Sequence, residues 1–275
     1  MKPELQRRVQ RYGWDKASNY YEKYWQDQLA PAHRKLIESI DISKGSALLD
    51  IACGSGQLTF PLAEMVGKNG TITGTDISDE MVRISNQKAK ELDADNTLFV
   101  QMDSEDLRFE DGQFDAVICS LGLMYFPNPG NALKEMFRVL KPGGKLGLVV
   151  WGNRKNCGWA DVFEIVDARV KSEVCPMFFQ FGNEDILTTT LTLVGFSEIN
   201  CSQINTLLKY NEDMDACVAV FAGGPVALAY NKFTDDVKNE VHLEYLESIK
   251  KYKSMNGIEI PGEFLVCTAT KPNGS

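Results

Sequence analysis

Between residues 47 and 151 the chain alternates short apolar runs with longer amphipathic ones, and that alternation restricts the fold more than any other feature. The apolar runs are 47–52 (ALLDIA), 71–76 (TITGTD), 97–102, 114–119 (FDAVIC) and 145–151 (KLGLVVW). Runs that are continuously apolar, rather than alternating, mark strands buried on both faces. Helices are predicted over 57–66, over 80–92 with Ser78 and Asp79 as caps, and over 131–140, stopped by the Lys141-Pro142-Gly143-Gly144 turn. Strand-then-helix repetition of this kind gives an α/β fold built on a parallel sheet.

The flanks read differently. Residues 2–40 are predicted helical, broken near Gly13 and Pro31 and rich in aromatics. Beyond the fifth strand, 152–180 reads as an aromatic helical stretch and 184–194 as a helix. A strand near 196–203, a helical stretch over 212–253 and a closing strand at 263–270 (EFLVCTAT) follow. The late helices are placed to cover the carboxyl edge of the sheet, where open α/β folds bind ligands.

Charge and residue usage exclude several classes. Lys and Arg number 29 against 38 Asp and Glu, a net charge of −9, so a polyanion meets a repulsive mean field and nucleic acid is not an expected partner. The basic clusters Arg7-Arg8 with Arg11, and Lys250-Lys251 with Lys253, are read as solvated helix faces. Seven cysteines without a C-x-x-C pair suit reduced thiols in a cytoplasmic protein, and two histidines far apart make a zinc site unexpected. No apolar run has signal-peptide length or approaches the ~20 residues of a membrane span, so neither secretion nor integral membrane association is expected. At this length a chain buries roughly three-quarters of its unfolded surface and needs no disulfide or metal staple. The sequence carries no signal for oligomeric state.

The loop after the first strand narrows the ligand. In LLDIACGSGQLTFPLAE a buried strand delivers Asp50, and Gly54-Ser55-Gly56 follow. Glycines let the backbone approach a ligand and adopt φ > 0, and a helix opening near Gln57 offers free N–H groups to an anionic group. A P-loop needs Gly-Lys-Ser/Thr, where this chain has Gln57-Leu58-Thr59; a dinucleotide fingerprint needs a small residue where Thr59 stands. Asp50 would repel a pyrophosphate but suits an ammonium or sulfonium. Asp76 ends the next strand about 20 residues after the glycines, where a carboxylate accepts ribose hydroxyls. Asp103 follows the third strand, where it could accept from an adenine amino group. Three carboxylates at successive strand ends thus form one constellation, and S-adenosylmethionine carries all the matching groups. Two alternatives stand beside it. A nicotinamide-dependent oxidoreductase is favoured by the sheet and Asp76 but disfavoured by Asp50 and Thr59. A non-catalytic binding subunit of the same fold would have a degraded loop, and here the loop is intact.

LLDIACGSGQLT, TGTDIS, QMDSEDLRFEDGQFDAV and EMFRVLKPGGKL, in that order over 47–151, resemble the class I S-adenosylmethionine-dependent methyltransferases, closest to the type-11 or ubiquinone/menaquinone-biosynthesis-like small-molecule branch. GWDKASNYYEKYW, FAGGPVALAY and IPGEFLVCTA resemble the flanks of small-molecule members, less specifically. The resemblance implies a Rossmann-like seven-stranded sheet of order 3-2-1-4-5-7-6, the last strand antiparallel, with helices on both faces and a helical cover. It implies one domain over 1–275: a helical lid at 1–44, a cofactor-binding core at 45–151, substrate-side helices and the sixth strand at 152–262, and the last strand and tail at 263–275. It places Asp50, Gly54 and Gly56 around the methionine portion, Asp76 on the ribose, Asp103 and Ser104 at the adenine, and Cys119, Ser120 and Leu121 facing the transferring methyl. Ala52, Cys53, Gln57, Ile77 and Met81 complete the expected cofactor set. Ala52 stands where the family usually has Gly, and Ser55 where it often has Thr.

The implied activity is transfer of the sulfonium methyl to a small organic acceptor by in-line displacement, leaving S-adenosylhomocysteine and using no metal. Ser120-Leu121-Gly122-Leu123 replaces the Asn-Pro-Pro-Tyr-like run of amino-DNA methyltransferases and carries no carboxylate cluster of the catechol type. No side chain is obligatory for such a displacement; the protein must align, exclude water and hold charge. His33 is the candidate base, Tyr20 and Tyr21 are lid candidates over the sulfonium, and His242 is read as a surface helix residue. Met124, Tyr125, Phe126, Trp151, Trp159, Phe178, Phe179 and Phe221 are candidates for an aromatic acceptor wall.

Overall fold

The computed structural model describes residues 3–171, 175, 177–255 and 257–274. Lys2, where the first helical stretch was expected to start, and positions 172–174 and 176 of the expected helical cover lie outside them.

The expected parallel strands form as β1 (Ala47–Ile51), β2 (Thr71–Asp76), β3 (Thr97–Gln101), β4 (Phe114–Ser120) and β5 (Leu140–Trp151). Two long strands complete the sheet, β6 (Ser197–Tyr210) and β8 (Gly257–Thr270), with a two-residue strand β7 (Lys253–Ser254) paired to β8. The order is β3-β2-β1-β4-β5-β8-β6, and β8 runs antiparallel to both neighbours. This is the expected order, apart from β7, which brings the described strands to eight rather than seven. Both β6 and β8 run further than expected. Asn, Ser and Gln disguise β6 in the sequence, and its alternating exposure is that of an edge strand with one face in solvent.

Helices pack around the sheet: α1 (Pro3–Ser39), α2 (Thr59–Val66), α3 (Asp79–Glu91), α4 (Pro129–Val139), α5 (Asp161–Asp167) and α6 (Glu184–Val194). Ser78 caps α3, its hydroxyl accepting from the Met81 N–H at 3.2 Å, and Asn128 caps α4. The expected turn at 141–144 is instead absorbed into β5 as an irregularity in its pairing with β4.

Three expectations are corrected. First, α1 is one helix through both Gly13 and Pro31. An internal proline costs about 3 kcal/mol and a glycine about 1, but Trp25, Leu29, Ala32, Leu36 and Ile40 are all buried along one stripe, and that packing outweighs the cost. The stripe fits because β5 has Gly147, where a Cβ would sit 2.9 Å from both Leu36 and Ile40. Second, the helical stretch 212–253 is several pieces: α7 (Asp213–Cys217) running into a π-turn at Val218–Ala222, α8 (Ala227–Tyr230) and α9 (Asp235–Ile249). Gly223, Gly224 and Pro225 interrupt it. Third, not all cysteines are reduced thiols. Cys201 and Cys267 are register partners on β6 and β8, with Cα atoms 4.1 Å apart, and their sulfurs are bonded.

Candidate active site

The carboxyl ends of β1 to β4 lie along one edge, held in register by the pairs Ile51↔Thr75, Ile51↔Cys119 and Asp76↔Gln101. The chain leaves β1 through Ala52, Gly54 and Gly56, all at positive φ (56°, 55° and 82°). The two glycines serve different ends. A Cβ on Gly56 would lie 2.5 Å from the Phe60 ring, whereas one on Gly54 would meet nothing nearer than Tyr21 at 3.7 Å. Gly56 is needed for packing; Gly54 leaves its backbone bare toward open space. Helix α2 starts at Thr59 rather than Gln57. The Ser55 hydroxyl and the Gln57 amide are buried in this loop without protein partners among the described residues. Such groups cost about 1–3 kcal/mol each while unsatisfied.

Asp50 and Asp76 are almost fully buried (1% and 7% exposed). Burial pushes the Asp50 carboxyl up to about 7, against the hydrogen bond it accepts from the Thr59 hydroxyl at 2.6 Å, while the nearby Asp76 adds to the rise. Burial likewise pushes Asp76 up to about 6, opposed by the N–H groups of Ser78 and Gly54, which each donate at 2.9 Å to a separate oxygen. Asp76 is therefore fixed in orientation by two tethers. Asp103 is more open: it accepts from the Glu105 N–H at 3.0 Å and pairs with Arg7 at 2.6 Å.

A cavity of about 920 Å³, partly open to solvent, runs along this edge and under α1. Of the residues singled out from the sequence, Ala52, Gly54, Asp76, Ile77, Met81, Asp103, Ser104, Ser120, Leu121 and Tyr21 line it. Asp50, Cys53, Gly56, Gln57, Cys119 and Tyr20 do not. Asp50 lies beneath the loop, bonded to Thr59; burial raises the Cys53 and Cys119 thiols, keeping them protonated. Tyr20 is 43% exposed and packs against Gly223.

Beyond the strand tips the cavity becomes aromatic. Trp14, Trp25, Tyr125, Phe126, Trp151, Trp159 and Phe178 line it, with the turn at residues 223–225. The rings meet mainly edge to face, as in Trp25–Trp159 at 5.8 Å and Trp159–Phe178 at 5.6 Å between centroids. Met124, Phe179 and Phe221 belong to the core instead. Phe221 packs with Tyr230, His242 and Tyr245, and His242 is bonded to the Tyr230 hydroxyl at 3.0 Å, away from the cavity. His33 stands behind the wall, its Nε2 3.0 Å from the Ser120 hydroxyl.

The sequence reading missed how α1 is fastened. Arg8 and Arg11 lie on a solvated face as expected, Arg11 in an exposed pair with Asp79, but Arg7 turns inward to pair with Asp103 and Glu105. Asp15 accepts from the Ser78 hydroxyl at 2.6 Å and the Glu80 N–H at 3.3 Å, and Glu22 pairs with Lys88. Arg7, Arg11 and Asp15 recur every four residues, a spacing that puts them on one helix face; that period was the available signal. Gln10, Trp14 and Leu29 also enter the cavity wall from this helix. Among the described residues no cluster of three or more His, Cys, Asp or Glu has metal-binding geometry, and no helix is long and apolar enough to cross a membrane.

A model of the ubiE/COQ5 methyltransferase family matches residues 25–178 of the 275. A demethylmenaquinone methyltransferase of Listeria welshimeri is 34% identical over 130 residues, which are 47% of this chain and 55% of that protein. One from Staphylococcus carnosus is 40% identical over 111 residues, 40% of this chain and 45% of that protein. The chain thus spans about half the length of the curated relatives it matches. In three dimensions, a putative methyltransferase from Bacillus halodurans superposes with a TM-score of 0.62 at 22% identity, covering 88% of this chain and all of that one; this likeness concerns the fold.

Proposed function

Because the chain belongs to the ubiE/COQ5 methyltransferase family, we propose that it transfers the methyl group of S-adenosylmethionine to a small aromatic acceptor of the reduced-quinone type. The observation that carries this reading is the tethered Asp76 beside the bare Gly54 backbone, in a cavity that continues into an aromatic chamber. The quinone class is taken from the relatives, which are named for demethylmenaquinone, and the aromatic lining supports it. Neither the oxidoreductase nor the non-catalytic subunit finds support in these matches.

The residues fit the cofactor on structural grounds. Asp76 has two oxygens fixed by backbone donors and lone pairs left for ribose hydroxyls. Asp103 and Ser104 line the same cavity as Asp76, which supports their assignment to the nucleobase, and Asp50, when ionised, adds negative potential beneath the loop. When bound, S-adenosylmethionine supplies an electrophilic methyl on a positively charged sulfur. The chain's part is to hold the charged end, exclude water with α1 and align the acceptor against Trp25, Trp151 and Trp159.

Calorimetric titration with S-adenosylhomocysteine, followed by labelled-methyl transfer to 1,4-naphthohydroquinone, tests the reading. Binding with transfer is expected. A protein that retains neither the nucleoside nor its methylated form contradicts the reading outright.

A further inference from the structure

Ser120 ends β4 and lines the cavity. Its register partner on β5 is Val149, two residues short of Trp151 in the aromatic wall. On its other side stands the glycine loop, whose Ala52 also lines the cavity. The Ser120 hydroxyl is 3.0 Å from His33 Nε2. Trp25 and Leu29 line the cavity from α1, and His33 follows Leu29 one helical turn later, so the helix stripe that walls the chamber carries an imidazole in behind it. His33 is not part of the cavity lining and keeps partial exposure of its own. A hydroxyl inside the chamber is therefore connected, through one imidazole, to the outside of the wall.

Building on the methyl-transfer reading, we propose that Ser120 and His33 form a proton relay that removes the proton lost by a hydroxyl-bearing acceptor. As the acceptor ring carbon or oxygen bonds to the methyl, the carbon–sulfur bond breaks with its electron pair left on sulfur. The acceptor hydroxyl becomes a protonated carbonyl or an oxonium. That proton passes to Ser120 Oγ while Ser120's own proton passes to His33 Nε2, which ends as imidazolium and discharges to solvent. Burial holds the imidazole down to about 4, so at neutral pH it is uncharged with a lone pair free to accept. A base this weak still takes a proton from a protonated carbonyl or an oxonium, both far stronger acids. Ser120 is the residue in reach of the acceptor; His33 acts through it.

The relay requires Nε2 to be the unprotonated nitrogen, with Ser120 donating to it. Histidine nitrogen NMR reads this directly, because the chain has only two histidines and His242→Asn assigns the signals. In the complex with S-adenosylhomocysteine, His33 is expected to show an unprotonated Nε2 that shifts in Ser120→Ala and is restored in Ser120→Thr. A protonated Nε2 overturns the relay. In labelled-methyl transfer to 1,4-naphthohydroquinone, Ser120→Ala and His33→Phe should each lower kcat by about 10²-fold with little change in KM, and the double variant should be no worse than either. Losses under threefold, or losses that multiply in the double variant, overturn it as well. Failure of the wild type to bind the nucleoside strikes the underlying reading instead. A wild type that binds it but never methylates the probe contradicts the acceptor class, and the tautomer then decides the relay.

Discussion

At the strand-tip end of the cavity, Asp50, Asp76, Asp103 and the glycine loop come from consecutive strand–loop units, and most of their bonds are to groups in the same units: Thr59 to Asp50, Gly54 and Ser78 to Asp76, Glu105 to Asp103, with Arg7 of α1 pairing Asp103 from outside. At the aromatic end, Trp25, Trp151, Trp159, Phe178 and residues 223–225 arrive from segments scattered through the chain and hold one another by ring packing. One end is encoded locally, by turn chemistry and carboxylates that suffer burial for a purpose. The other exists only once the whole chain has folded. Substitutions should accordingly harm ligand binding at the first and stability at the second.

The largest effect is expected from Trp159→Ala. Trp159 is 1% exposed and touches Trp25, Trp151, Phe163, Phe178 and Phe179, so its loss should cost about 3–5 kcal/mol of stability in denaturant unfolding. The folded fraction should keep its affinity for S-adenosylhomocysteine; a loss of affinity matching the loss of stability would erase the contrast. Next comes Asp76→Ala, which removes charge-assisted bonds worth roughly 1.5–3 kcal/mol each. Nucleoside affinity should fall about 10- to 100-fold by calorimetry, without unfolding. An unchanged affinity removes Asp76 from the ribose.

The third test is pH. With carboxyls raised to about 7 at Asp50 and about 6 at Asp76, acidification from pH 8 neutralises both, so affinity for the sulfonium form should drop by about tenfold per unit below pH 6 for each carboxylate required charged. Stability moves the opposite way. A folded pKa above the unfolded value gives a contribution that is present at low pH and lost as pH rises through 6 to 7, so these two groups favour the ligand-free fold on mild acidification. Melting curves with and without nucleoside across this range would separate the trends. The smallest effect is expected from Arg11→Ala. Its pair with Asp79 is exposed on both sides, 39% and 52%, so solvent screens it and its contribution is small. Nucleoside release by stopped flow should quicken no more than about fivefold, and added salt should remove the difference.

The same contrast explains what could be read before folding. Buried apolar runs, glycines and strand-end carboxylates are short-range signals, and β1 to β5 with their loops followed from them. Ser120 and His33 were each visible as candidates, but their bond joins residues 87 apart in the chain and no local pattern announces it. The helical breaks expected at Gly13 and Pro31 failed because propensity is a weak force against a buried stripe from Trp25 to Ile40. The Arg7–Glu105 pair joins residues 98 apart in the chain, and no local pattern names that partner. The long edge strand β6 was underestimated because its polar residues face water on one side.

The unbroken α1 also joins what the sheet keeps apart. At 1.5 Å per residue, its 37 residues make a rod about 55 Å long, packed inward at Ala17, Trp25, Leu29, Ala32 and Leu36 and held by ion pairs near its amino end. Gln10, Trp14, Tyr21, Trp25 and Leu29 all line the cavity from this one element, so a substitution that shifts its packing is expected to disturb nucleoside affinity and acceptor affinity together.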